Sequence, residues 1–150
     1  MCMKYLIKTD GSLAQLCNRV ALGIVVFPHG AQKVLGWFGG PGFAKTIHIF
    51  APMGFPAWSV VLLMIFEFAG PLLLIAGLFS RLWALGLTFS MAICMFMNHV
   101  QNGFFMNWFG NQKGEGIEYH LLLFGLTIAL LLCGSGRFSL DRALFKRMNQ

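Results

Sequence analysis

The chain has 150 residues, of which 57% are hydrophobic and only 11% charged, and its mean hydropathy is +0.71. A water-soluble domain of this size carries far more charge, so a soluble globular enzyme is excluded and a small helical membrane protein is expected. The 11 Lys and Arg against 5 Asp and Glu give a net charge of +6, which a membrane chain uses to set its orientation, so no nucleic-acid partner is implied.

The first dozen residues, MCMKYLIKTDGS, lack an apolar stretch of signal-peptide length and a small-residue cleavage site, so no cleaved signal is expected. The first apolar segment, residues 13–35, is read as a membrane-spanning helix centred near Ile24. At ~1.5 Å per residue, Arg19 lies about 7 Å to one side of that centre and His29 about as far to the other, with Lys33 one turn beyond His29 on the same face. Pro28 lacks an N–H and leaves the carbonyl of Ile24 without its helical partner.

The connection from Gly36 to Pro56 is rich in Gly, Pro and aromatics. Its middle, Phe43 to Ala51, is predicted to be a short interfacial helix. The second span, residues 56–79, contains a single ionisable residue, Glu67. An ionised Glu at mid-bilayer costs at least ~2.5 to 3.5 kcal/mol, so Glu67 should face a partner or a wet cavity and not lipid. Arg19 has the reach to pair with it from one side and His29 from the other. Pro71, four residues on, frees the carbonyl of Glu67 itself, and such groups are tolerated at depth where protein buries them or a wet cavity receives them. A polar cavity between the first two spans is therefore expected.

After the tight Ser80-Arg81 turn, the third span covers residues 82–101 and carries Asn98-His99 at its end. The connection from Asn102 to Gly116 repeats the aromatic richness of the first, and Trp37, Phe38, Phe43, Trp58, Phe104, Phe105, Trp108 and Phe109 are expected to form an interfacial belt. The alternative is a lid folded over the mouth of the bundle. The fourth span, residues 117–134, opens with Glu118 and His120, just after Glu115. Together these segments predict one domain over residues 1–150, an all-α, integral membrane four-helix bundle. An even number of spans places eight basic residues with the two termini and three (Lys33, Lys45, Lys113) opposite, so both termini are expected in the cytoplasm.

Arg19, His29, Lys33, Glu67, His99, Glu118 and His120 are the candidate ligand-binding or proton-handling residues, because quinone and acid-base chemistry need groups titrating near neutral pH in a shielded site. No metal site is expected, since the His and Glu residues show no i, i+4 ligand spacing. Cys2, Cys17, Cys94 and Cys133 form no CxxC pair, and with Cys94 placed mid-span no disulfide framework is expected. No haem ligand pair, iron-sulfur pattern or flavin motif is visible.

Several stretches in this order and spacing resemble the DoxX family of small four-span membrane proteins. They are Arg19 and Gly23 in the first span, HGAQKVLGWFGG from His29, Glu67 followed by GLFSR, HVQNGFFMNW from His99, GEGIEYHLLL from Gly114 and the terminal GSGRFSLD. Where the resemblance calls for a second glycine near Glu67, this chain has Pro71. The resemblance implies a bacterial inner-membrane four-helix bundle associated with redox or sulfur metabolism, related to the small subunit of a thiosulfate:quinone oxidoreductase. It implies a quinone as cofactor, and as partners membrane lipid with either a redox-enzyme subunit or further copies of the chain. The leading expectation is thus a quinone-interacting or accessory subunit of a membrane oxidoreductase. The alternatives are an oligomeric small-anion transporter built on Arg19 and Lys33, and a structural scaffold.

Overall fold

The computed structural model describes the backbone of residues 2–150 and the side chains from Lys4 onward, so the side chain of Cys2 lies outside the described residues. All regular elements among them are helical. They are α1 (Cys2–Ile7), α2 (Leu13–Leu35), α3 (Phe43–Phe50), α4 (Ala57–Ala76), α5 (Ser80–Asn98), α6 (Glu118–Cys133) and α7 (Leu140–Arg147), with three single 3-10 turns between them.

The four longest helices close on one another, α2 against α4, α4 against α5, α5 against α6 and α6 against α2. Leu22, Val26, Leu74, Leu87, Leu123 and Leu130 fill the centre, while Leu62, Phe89, Phe96, Leu122 and Leu132 point outward. An apolar exterior around an apolar core is what a bundle surrounded by lipid requires. By length and composition α4 and α5 can cross a membrane, and α6 is apolar but has 16 residues.

Close approach of α2 and α4 organises the bundle. Gly23 and Gly30, two turns apart on α2, both face α4. A Cβ on Gly30 would overlap the backbone of Glu67 and Phe68, so only glycine permits this contact. The carbonyl that Pro71 deprives of a donor is therefore covered by α2. Both prolines sit inside continuous helices, Pro28 in α2 and Pro71 in α4.

At one end of the bundle, Arg19 is 1% exposed and donates only to main-chain carbonyls. Its Nε reaches Ser135 at 3.0 Å, and its two terminal nitrogens reach Leu74 (3.1 Å), Ile75, Arg137 (3.3 Å) and Phe138 (2.6 Å). It thus satisfies the orphan carbonyls at the C-terminus of α4. The expected Arg19–Glu67 pair does not form, because the planar guanidinium has found a complete set of acceptors at that end.

Asp141, at the start of α7, accepts from the amides of Phe79 (2.7 Å) and Ser80 (3.1 Å) and from the Ser135 hydroxyl. This is an N-cap for α5 supplied from 61 and 62 residues downstream, and it offsets the helix's positive end. Between the two clamps Gly77 takes φ 70° to end α4. Arg81 closes the C-terminus of α6 through Leu131 (2.8 Å) and Leu132 (3.1 Å) and holds the carbonyl of Tyr5 (3.0 Å). The packing of α1 against α5 and α7 places both termini at this same end.

At the other end α3 is pinned by Thr46, whose hydroxyl reaches the carbonyl of Lys33 at 3.1 Å. The helix expected over residues 43–51 is thus present as Phe43–Phe50, running directly into a 3-10 turn.

Candidate site: a cavity beside a buried ion pair

Near the end of the bundle that holds α3, a cavity of about 250 Å³ opens between the helices. Residues from α2 (His29, Lys33), α4 (Glu67), α5 (Met91, Cys94) and α6 (Tyr119, His120) line it, with His99, Met106, Glu115 and Gly116 from the connection between α5 and α6. It therefore lies among all four long helices and not between the first two alone.

Glu67 is 2% exposed and accepts two bonds, one on each oxygen. Lys33 Nζ lies 2.5 Å from Oε2, and Ser90 Oγ donates to Oε1 at 2.7 Å. Both carboxylate oxygens are thus engaged, one by a cation, so the buried acid has a full set of partners. The Lys33 side chain keeps 24% exposure, so its ammonium touches the cavity while its stem packs on α2. His29, one turn earlier on α2, stands on the same wall. A second cavity of about 140 Å³ is lined by Ser90 and by mostly apolar side chains of α4 and α5, with Phe50 of α3 and Phe55 beside them.

The connection after α5 folds over the cavity by main-chain bonding. His99 Nδ1 contacts the carbonyl of Glu115 at 2.9 Å, and Asn102 donates to the same oxygen at 3.0 Å. The carboxylate of Glu115 accepts from the Asn107 amide (2.6 Å), and that of Glu118 from the Met106 amide (3.1 Å). Glu118 is thus a tie for the loop and not one of the cavity's lining residues.

Five of the seven sequence-derived candidates, His29, Lys33, Glu67, His99 and His120, come together here. Arg19 and Glu118 do not. The alternative of an aromatic lid over the mouth of the bundle is not seen among the described residues. Trp37, Phe38, Trp58, Phe105, Trp108 and Phe109 all point outward, as interfacial anchors do, and Tyr119 is the only non-imidazole aromatic on the cavity wall among the described residues. The loop does cover the cavity, but with Met106, Glu115 and Gly116.

Sequence reasoning missed Ser90, Tyr119 and Cys94 as neighbours of Glu67. Ser90 precedes Cys94 by four residues on α5, so both lie on one helix face, and that spacing was the available signal. Cys94 sits one turn from the end of α5 and not at its middle. Of the two cations on which an anion pathway would depend, Arg19 is bound to main-chain carbonyls and stands at the other end of the bundle from Lys33.

Comparison with known proteins agrees with the helical architecture. The profile of the DoxX family matches residues 14–100. The Escherichia coli (strain K12) protein described as "Inner membrane protein YqjF" is 27% identical over 117 residues, covering 75% of this chain and 82% of the relative. No solved structure matches the chain.

Proposed function

Because the chain belongs to the DoxX family of inner-membrane proteins, we propose that it works as a quinone-interacting or accessory subunit of a membrane oxidoreductase system. The observation that carries this reading is the contact of the Lys33–Glu67 pair with a cavity of limited size. Ligand pockets run from roughly 300 Å³ upward, so about 250 Å³ admits a ring-sized group and not an isoprenoid tail.

In this reading the Lys33 ammonium donates a hydrogen bond to a ring carbonyl, and the bond to Glu67 keeps that ammonium aimed. His29 beside them adds an imidazole to the same wall. Tyr119 supplies an aromatic surface. The tail leaves between helices toward lipid, and the electrons come from a redox-enzyme partner that docks on the membrane-embedded chain or on an oligomer of it.

The same reading has α2, α4, α5 and α6 cross the inner membrane, with both termini in the cytoplasm and α3 in the outer interface. Support comes from the arrangement of α1, α7 and the Arg19, Arg81 and Asp141 clamps at one end, where most of the basic residues lie. The test is thermal unfolding of the detergent-purified protein with and without a short-chain quinone. A ligand that binds only the folded state raises Tm by mass action. The rise should be lost in Lys33→Met, and no rise with any quinone in the wild type would defeat the proposal.

A further inference from the structure

Where α5 ends and α6 begins, one sulfur and two imidazoles converge. Cys94 Sγ and a ring nitrogen from each of His99 and His120 all lie within 4.8 Å of one another. The His99 and His120 rings are in contact, their centroids 4.5 Å apart. We propose that these three residues form a binding site for one soft or borderline d10 metal ion, zinc(II) or copper(I).

Two independent features point to a ligand. First, His120 is 3% exposed, and its Nδ1 is enclosed with no hydrogen-bond partner. A buried ring nitrogen left unpaired is costly, and a bound ion accounts for an imidazole held this way. Second, His99 Nδ1 donates to the Glu115 carbonyl at 2.9 Å, which fixes its tautomer and leaves the Nε2 lone pair free. Metal-binding imidazoles are held in this manner, one N–H on a carbonyl and the other nitrogen on the ion.

The donor set selects the ion. Thiolate with two imidazoles suits zinc and copper, whereas magnesium and calcium require oxygen ligands. The nearby carboxylates are occupied, Glu67 by Lys33 and Ser90 and Glu115 by the Asn107 amide. Met91 and Met106 line the same cavity, and a thioether or a water completes the coordination. With metal–nitrogen bonds of ~2.0–2.1 Å and metal–sulfur bonds of ~2.3 Å, ligand atoms in a tetrahedral site stand ~3.3–3.6 Å apart, so closure takes about an ångström of side-chain rotation. The three ligands come from two helix ends joined by an ordered loop, which explains the absence of any metal spacing in the sequence. The site uses none of Lys33, Glu67 and His29, although its ligands line the same cavity, and metal retained per chain is read without any quinone.

The test uses the full chain in detergent with its affinity tag removed, dialysed separately against zinc and, under anaerobic reducing conditions, against copper(I). Retained metal is counted per chain by elemental analysis. One equivalent of either ion is expected, with affinity at least about tenfold weaker in Cys94→Ser and in His120→Ala, and unchanged in His48→Ala, an exposed imidazole on α3. Cobalt(II) added to the wild type should give a near-ultraviolet thiolate-to-cobalt charge-transfer band, a readout that does not depend on any variant folding. Failure of both ions to bind stoichiometrically, or binding that survives both ligand substitutions, would overturn the site.

Discussion

Lys33 on α2 and Glu67 on α4 meet as an ion pair at 2.5 Å, with Ser90 of α5 completing the carboxylate's bonding. The pair joins three helices at one point, and Gly30 makes it possible by letting α2 approach the backbone of Glu67. Charge, close packing and the cavity wall therefore depend on the same few residues.

The pair should be more costly to break than to remove. Glu67→Gln leaves a partly buried ammonium uncompensated, and with Lys33 a quarter exposed the expected loss is about 1–3 kcal/mol, below the 3–5 typical of fully buried pairs. The double variant Lys33→Met with Glu67→Leu removes both charges and should recover most of that loss. Equilibrium unfolding in mixed detergent measures both. A double variant less stable than Glu67→Gln would show that the pair contributes more than its own compensation.

Arg19 and Glu67 share no partner, so their effects should add. Arg19→Lys replaces a planar fork serving five carbonyls with a point charge that cannot reach them all. A destabilisation of roughly 2–4 kcal/mol is expected, from buried carbonyls left unpaired. Combined with Glu67→Gln, the two losses should sum to within about 0.5 kcal/mol. A larger coupling energy would mean that the two ends of the bundle communicate.

The long helices are legible in the sequence because hydropathy and helix length are local properties. Residues 13–35 were drawn from composition alone and are helical as Leu13–Leu35. That Glu67 would be engaged was also legible, from the cost of burying it. Its partner was not, since Arg19, His29 and Lys33 all lie within reach along α2 and only the side-by-side packing of helices selects Lys33. Asp141 gave no signal because it caps a helix far away in sequence, and α1 and α7 are too short to announce themselves by periodicity. The aromatics of the second loop were legible as a group, yet whether they faced in or out depended on the loop's internal bonds to Glu115 and Glu118.

Substitution at Gly30 tests the close approach. A Cβ there would overlap the Glu67 carbonyl oxygen, which cannot rotate away, whereas at Gly23 it meets the Ile75 side chain first, at 2.5 Å, and the Pro71 carbonyl oxygen only at 2.9 Å. Gly30→Ala should therefore destabilise by about 1–3 kcal/mol, as overpacking of a filled interior does, and Gly23→Ala by less. Because the strain falls on the carbonyl of Glu67, Gly30→Ala should also weaken any quinone-induced rise in Tm. Equal effects at the two glycines would argue that α2 and α4 can separate freely.

Orientation is the remaining test. Eight of the 11 basic residues, Arg19 and Arg81 among them, fall with the termini, and Lys33, Lys45 and Lys113 fall with α3 and the second long loop. Basic residues are retained on the cytoplasmic side during insertion, so the cavity end should face outward. In a background with the native cysteines replaced by serine, a cysteine at Lys113 should react with an impermeant thiol reagent added outside spheroplasts, and one at Lys146 should react only after lysis. Lys113 is exposed, on the loop after α5, and Lys146 is exposed on α7, so neither result should be blocked by burial. The opposite labelling pattern would invert the chain and turn the mouth of the Lys33–Glu67 cavity toward the cytoplasm.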